Sequence, residues 1–89
     1  MRYTVLCDLA AEQQLAAAYL AAADRSLVSA AARGIEEILS EAPLAFGESR
    51  HGDQENIELR VGFEPPLAVW YTVCAADRTV VIVRFRLCP

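Results

Sequence analysis

The chain has 89 residues, 55% of them hydrophobic, and its eight Arg, twelve Asp or Glu and single His give a formal charge of −4. A chain of this length forms one small domain over residues 1–89, and it excludes a two-domain enzyme with a large enclosed substrate cavity. The acidic balance disfavours nonspecific binding along nucleic-acid phosphates, which needs an excess of positive charge.

The first half of the chain predicts a strand followed by a helix hairpin. Apolar side chains alternate along Arg2 to Cys7, and this period of two predicts a first strand that ends at Asp8. An Ala-rich segment that Asp8 caps predicts a helix over Leu9 to Ala23. Asp24 is a second cap, and the helical pattern after it stops before Pro43. We expect the two helices to pack as an antiparallel hairpin.

The second half predicts a loop and then a meander of strands. Leu44 to Asn56 is polar, contains glycine and has no period, which is typical of a loop. Strand patterns follow over Ile57 to Phe63, Leu67 to Cys74 and Thr79 to Leu87. The elements predict an α+β domain of order β-α-α-β-β-β, in which the helix hairpin covers a four-stranded antiparallel sheet. We expect the first strand to lie beside the last.

Alternation along the last three strands assigns the two faces of the sheet. One apolar set, which includes Val61, Tyr71 and Phe85, is expected to face the helices. The opposite set is expected to form an open face that is half apolar and locally basic. It contains Arg2, Glu58, Arg60, Trp70, Val80, Ile82, Arg84 and Arg86.

Membrane, metal and disulfide chemistry are not expected. No run of about 18 or more uncharged apolar residues is present, so the sequence predicts no membrane span and no membrane partner. The N-terminal apolar stretch is too short for a signal peptide, which favours a cytoplasmic location. Cys7, Cys74 and Cys88 lack CxxC spacing and companion histidines, so we expect neither a zinc site, nor a disulfide framework, nor any cofactor.

The element order, the Asp-capped hairpin and the terminal meander resemble the RelE/ParE superfamily of bacterial type II toxin–antitoxin toxins. The segments that carry the resemblance are Met1 to Val5 leading to Asp8, Ala10 to Leu15, Asp24 to Leu39, Pro43 to Arg50 and Pro66 to Val73. The resemblance implies a toxin that a cognate antitoxin segment wraps and neutralises. It implies action either by protein contact, as in gyrase inhibition, or by mRNA cleavage at the ribosome. A degenerate, non-toxic member is a third alternative, and a homodimer is left open.

For mRNA cleavage, the candidate catalytic residues are Arg60, Arg84 and His51. Attack by a 2′-hydroxyl needs a group that removes its proton and donors for the charge that develops on phosphorus, without a metal. The resemblance implies basic residues at Arg60 and Arg84, and a guanidinium matches phosphate oxygens with two parallel hydrogen bonds. His51 is the single histidine and the natural group for proton transfer. The alternative is that Arg60 and Arg84 simply lie on the solvent face of the sheet and that His51 is an exposed loop residue without a chemical role.

For protein contact, the predicted partner-binding residues are Trp70, Val80, Ile82 and Arg86. An outward Trp70 either stacks an RNA base or anchors an antitoxin segment. The protein interface is favoured because Val80 and Ile82 beside it form an apolar patch that needs covering. The chain also has no Lys and no terminal Tyr or His, unlike the nuclease members of the superfamily. The sequence therefore predicts a toxin that acts by protein contact.

Overall fold

The computed structural model describes residues 2–54 and 57–88, of which residues 51–54 are described by their backbone alone. The elements are β1 (Thr4–Cys7), α1 (Leu9–Ala21), α2 (Arg25–Glu41), β2 (Glu48–Gln54), β3 (Ile57–Glu64), β4 (Leu67–Cys74) and β5 (Thr79–Leu87). The helices pack on one face of a five-stranded sheet of order β1-β5-β4-β3-β2. The predicted α+β class is confirmed, with one strand more than expected. Within the described residues, no helix is long and apolar enough to cross a membrane.

Both helices begin at the predicted aspartate caps. The Asp8 carboxylate accepts a hydrogen bond of 3.0 Å from the backbone N–H of Ala11, and Asp24 accepts one of 3.0 Å from that of Ser26. These bonds satisfy N–H groups that the start of a helix leaves without a partner. The second helix stops before Pro43 as predicted. The first ends two residues earlier than its predicted end, at Ala21 instead of Ala23.

β2 lies in the segment that was predicted to be a loop, and that prediction was wrong. The strand is polar, lies at the edge of the sheet and pairs only with β3. Its register shifts between Ser49 and His51 and again between Gly52 and Gln54. An edge strand interrupted by bulges does not need the alternating apolar pattern of a strand with one buried face. No such pattern marked this segment in the sequence.

The additional strand reverses the direction of all the strands that follow it. Each of the pairs β2–β3, β3–β4 and β4–β5 is antiparallel, so β5 runs parallel to β1, with Val5 opposite Val80 and Cys7 opposite Ile82. The prediction that the first strand lies beside the last is confirmed. The prediction of a wholly antiparallel sheet is wrong because it counted one strand too few.

The core lies between the helices and the sheet face that they cover, which we call the inner face. Its buried residues are Ala11, Ala18, Val28, Ala31, Ile35, Leu39, Leu67, Val69, Tyr71, Val73, Val80, Ile82 and Phe85. A polar contact adds to this packing: the backbone N–H of Phe85 donates to Oε1 of Gln14 at 2.9 Å. The pairing of β1 with β5 ends at Ile82, so β1 offers no acceptor to the N–H of Phe85. The side chain of Gln14 in α1 accepts this hydrogen bond instead.

A β-bulge in β5 changes which of its residues face the core. Trp70 pairs with Arg84 while Tyr71 pairs with Ile82, which leaves Val83 without a partner. The extra residue shifts the alternation by one, so Val80 and Ile82 before it and Phe85 after it are all buried. The expectation that Val80 and Ile82 form an apolar patch on the open face is therefore wrong.

Candidate functional site

The sheet face opposite the helices, which we call the open face, is largely apolar. Residues directly opposite each other in an antiparallel ladder share a face. The register therefore places together Glu48, Ile57, Leu59, Val61, Phe63, Ala68, Trp70, Thr72, Val81, Arg84 and Arg86. Leu6 joins them from β1, where it lies opposite Val81. Leu6, Ile57 and Phe63 are 52%, 45% and 56% exposed, so large apolar side chains are spread across this face.

A stacked pair of side chains lies near the middle of the open face. The guanidinium carbon of Arg84 is 4.6 Å from the centroid of the Trp70 ring. The negative face of an indole attracts a cation, and such pairs contribute about 0.5–1 kcal/mol at exposed sites. The contact therefore favours the observed orientations of Trp70 and Arg84. Arg86 lies on the same face opposite Ala68, so the structure places Trp70, Arg84 and Arg86 together as predicted.

A shallow groove of about 370 Å³ lies beside Trp70. Its lining comes from three neighbouring strands: Glu48 and Arg50 of β2, Val61, Gly62 and Phe63 of β3, and Ala68 and Trp70 of β4, together with Gly47. Arg50 lies where the β2 register shifts, between Ser49 and His51. Sequence reasoning missed Arg50 and Glu48 because it placed both in a loop.

Arg60 does not belong to the open face. It lies opposite Tyr71, which is fully buried on the inner face, and only 12% of the Arg60 side chain is exposed. Arg84 lies opposite Trp70, which immediately precedes Tyr71 in β4. Because neighbouring residues of a strand face opposite sides, Arg84 lies on the other side of the sheet from Arg60. The expected grouping of Arg60 with Arg84 is wrong. The helices cover little of β3, and a chain segment held by Arg60 covers its inner face instead.

That segment, residues 43–47, is called the latch segment here. Nη2 of Arg60 donates to the carbonyl oxygens of Leu44 at 3.0 Å, Phe46 at 3.3 Å and Gly47 at 3.0 Å. The Tyr71 hydroxyl donates to the carbonyl oxygens of Pro43 and Phe46. Burial raises the pKa of Tyr71, while the hydrogen bond and charge of Arg60 oppose that rise. The hydroxyl therefore acts as a structural donor inside the domain.

Two glycines let the latch segment lie close against the sheet. A Cβ on Gly62 would come within 2.2 Å of the Phe46 ring, which stacks on Tyr71 with a centroid separation of 6.1 Å. Gly47 has a φ of 69°, a left-handed conformation that favours glycine, and a Cβ there would lie 2.4 Å from the carbonyl oxygen of Val61. The segment therefore fits only the backbone surface that these glycines provide.

Glu58 completes the contacts of Arg60. Its Oε2 accepts from Nη1 of Arg60 at 2.8 Å. A hydrogen bond from the Ser49 hydroxyl lowers the pKa of the Glu58 carboxyl, and the charge of Arg60 lowers it further. Glu58 is therefore ionised near neutral pH, and it neutralises Arg60 on the inner face. The expectation that Glu58 lies on the open face is wrong, since it lies opposite Val73 of the core.

Two other predicted residues are placed elsewhere or are described only in part. Arg2 forms an ion pair of 2.9 Å with Glu41 at the end of α2, so it belongs to the helix side of the domain. His51 lies on β2 opposite Leu59, and its side chain falls outside the part of the chain that is described. The structure therefore gives no geometry for the proposed proton transfer.

The helices carry a second apolar surface, on the opposite side of the domain from Trp70. A groove of about 650 Å³ lies between α1 and α2, and it is lined mainly by Leu15, Ala16, Tyr19, Leu20, Val28 and Ala32. Tyr19 is 40% exposed and Leu20 is 65% exposed. We call this surface the hairpin groove. Apolar side chains therefore reach solvent on both sides of the domain.

No protein-family model matches the sequence, and no curated protein sequence matches it. Among solved structures, the fold is similar to that in the archaeal RelE–RelB complex from Pyrococcus horikoshii OT3. That match has a TM-score of 0.76 at 16% identity and covers 98% of this chain and 96% of that chain. It is also similar to the toxin–antitoxin complex RelBE2 from Mycobacterium tuberculosis, with a TM-score of 0.73 at 20% identity and coverage of 98% and 99%. The chain has the RelE fold, as the resemblance in its sequence implied.

Proposed function

We propose that the chain is the toxin of a type II toxin–antitoxin pair, that it acts by protein contact, and that an antitoxin segment neutralises it. The RelE fold supports the first part, because the similar structures are of a RelE–RelB complex and of a toxin–antitoxin complex. The chemistry of the open face supports the second part. The two apolar surfaces support the third.

The observation that carries the proposal is the composition of the open face. Leu6, Ile57 and Phe63 are exposed around the half-buried Trp70 and its stacked Arg84. Isolated apolar side chains are common on protein surfaces, but a set spread over one sheet face marks a contact surface. Trp and Arg are also the residue types that most often dominate the binding energy of protein interfaces. This face is suited to bury itself against another protein.

The cleavage of mRNA is the second candidate. Trp70 and Arg84 also form a platform on which a base stacks beside a phosphate-binding cation. However, Arg60 is engaged with the latch segment on the inner face, so it does not reach a phosphate bound at Trp70. The cations that remain near Trp70, among the described side chains of the open face, are Arg50, Arg84 and Arg86. Protein contact is therefore favoured.

The two apolar surfaces support a partner that wraps around the domain. The hairpin groove and the open face lie on opposite sides of the sheet, and a single docked helix or strand covers only one of them. An extended antitoxin segment that crosses an edge of the sheet reaches both. Such a segment orders on binding, and the large surface that it buries offsets the entropy it loses.

The proposal is tested by inducing the chain in cells and mapping the 5′ ends of their mRNA. Induction is expected to arrest growth, and co-expression of a small open reading frame found beside the gene is expected to restore it. An unchanged pattern of mRNA ends supports protein contact, whereas new cleavage sites establish the endonuclease instead. Continued growth after induction would show a degenerate, non-toxic member.

A binding measurement tests the open face itself. Trp70→Ala is expected to weaken binding of the rescuing partner by at least about 30-fold, the loss that corresponds to about 2 kcal/mol at an interface centre. The comparison variant is Glu36→Ala on the exposed side of α2, which is expected to weaken binding less than Trp70→Ala does. Calorimetry that gives equal affinities for the two variants would remove the open face from the interface.

A further inference from the structure

We propose that the groove beside Trp70 binds a short acidic peptide segment that carries one apolar anchor side chain. The inference rests on the proposed function to the extent that this segment belongs to the neutralising partner. It assigns a ligand chemistry to a groove whose β2 wall the sequence did not reveal. The residues that carry it are Arg50, Trp70 and Arg84.

The apolar residues that line the groove are the reason for proposing an apolar anchor. Val61, Phe63 and Ala68 line it beside the Trp70 ring, and Phe63 is 56% exposed. An aliphatic or aromatic side chain that enters the groove removes both its own surface and that of Phe63 from water. Apolar burial contributes about 25 cal/mol per Å², so a single anchor is the main source of affinity at such a site.

The distribution of charge explains the acidic flanks. The chain has a formal charge of −4. The charged residues that line the groove are Arg50 and Glu48, and two further cations, Arg84 and Arg86, lie on β5 opposite the lining residues Trp70 and Ala68. On the described part of this face near the groove, three cations therefore stand against one acidic side chain. A short acidic segment meets only this local positive potential. A long polynucleotide also extends over the acidic remainder of the domain, which repels it. Carboxylates on a peptide therefore match this site better than a chain of phosphates.

The β2 wall of the groove begins directly after the latch segment, which is bound by residues of the inner face. Arg60 and Tyr71 hold the latch segment, and its last residue, Gly47, directly precedes Glu48. The guanidinium of Arg84, which lies 4.6 Å from the centroid of the Trp70 ring, favours the observed orientation of that ring. A site whose walls are ordered before binding loses less conformational entropy when the ligand arrives. These contacts therefore lower the entropy cost of binding at the groove.

The test begins with a phage-displayed library of short random peptides selected against the whole chain, with the Trp70→Ala variant used to remove background binders. The selected peptides are expected to carry Asp or Glu beside an aliphatic or aromatic residue. The best peptide is then synthesised and titrated while the fluorescence of Trp70, the single tryptophan of the chain, is recorded. Its binding is expected to weaken as the salt concentration rises.

Matched variants identify the contribution of Arg50. Arg50→Gln is expected to weaken binding of the acidic peptide about three- to tenfold, because it removes one exposed charge contact. Arg2→Gln changes the net charge equally but lies on the helix side, paired with Glu41, and is expected to leave the affinity unchanged. Far-UV circular dichroism of both variants checks that the fold is retained.

Three outcomes would overturn the inference. They are the selection of peptides without acidic residues, equal affinities for Arg50→Gln and Arg2→Gln, and tighter Arg50-dependent binding of a short single-stranded RNA than of the peptide. None of these outcomes bears on the toxin proposal, which is tested separately by growth arrest and by its rescue. Conversely, loss of arrest or rescue together with selective binding of the acidic peptide removes the proposed toxin function and keeps the site.

Discussion

Replacing Arg60 with methionine tests the idea that this residue holds the domain together and does not contact a ligand. Methionine retains much of the aliphatic volume of arginine but donates no hydrogen bond. The change leaves the carbonyl oxygens of Leu44 and Gly47 without the guanidinium donor, while that of Phe46 keeps only the Tyr71 hydroxyl. It also leaves Glu58 without its ion-pair partner. We expect the latch segment to loosen and the free energy of unfolding to fall.

The magnitude follows from the burial of the two partners. Hydrogen bonds from a charged donor contribute about 1.5–3 kcal/mol each, but the bonds to the three carbonyl oxygens share one guanidinium and do not add fully. The side chain of Glu58 is 30% exposed, so solvent screens the ion pair and its share is small. A total loss of about 3 kcal/mol is expected, which for a domain of this size lowers the Tm by about 12–24 °C.

Urea unfolding followed by far-UV circular dichroism measures this loss. Arg84→Met is the matched control, because it removes the same guanidinium from the open face, where its contact among the described residues is the stacked pair with Trp70. That variant is expected to lose about 0.5–1 kcal/mol. If Arg60→Met costs no more than Arg84→Met, then the contacts of Arg60 with residues 43–47 do not stabilise the domain.

Further changes test other parts of the structure by the same unfolding measurement. Gly62→Ala is expected to cost about 1–3 kcal/mol, since its Cβ would lie 2.2 Å from the Phe46 ring. Val80→Thr buries a hydroxyl and is expected to cost about 1–3 kcal/mol, whereas Val81→Thr is expected to stay within about 0.5 kcal/mol; equal losses would contradict the bulge at Val83. The folded pKa of Glu58 lies below its usual 4.5, so its stabilisation is complete above that pH and is lost as the pH falls through the folded pKa. Glu58→Gln is expected to flatten this acid limb, and an unchanged pH profile would argue against the ion pair.

The parts of the fold that follow local rules were predictable from the sequence. The aspartate caps, the stop before Pro43 and the bounds of β4 and β5 all come from short-range patterns, and the structure confirms them. The position of Trp70, Arg84 and Arg86 on one face also follows from alternation near the end of the chain. Propensity, capping and period act within a few residues, so a sequence records them directly.

The features that depend on distant contacts were not predictable in this way. The assignment of faces in β3 assumed that apolar residues turn toward the helices, but the inner face of this strand is covered by the latch segment, which accepts the hydrogen bonds of Arg60. The bulge at Val83 likewise reversed the alternation of Val80 and Ile82. Arg50 lines the groove because β2 pairs with the edge of β3. Each of these outcomes depends on a partner far away in the sequence.

The same two strands carry stabilising contacts on one face and the proposed binding surface on the other. Arg60 and Tyr71 are opposite each other on the inner face, while their neighbours Val61 and Trp70 are opposite each other on the open face. Because successive side chains of a strand point to opposite sides, the contacts that fix the backbone of β3 and β4 also fix the groove without occupying it. A domain of this size has too few residues to build a second layer that only supports the groove. In the proposed function the sheet is therefore both the scaffold and the binding surface, and the contacts on its inner face support the groove on its open face.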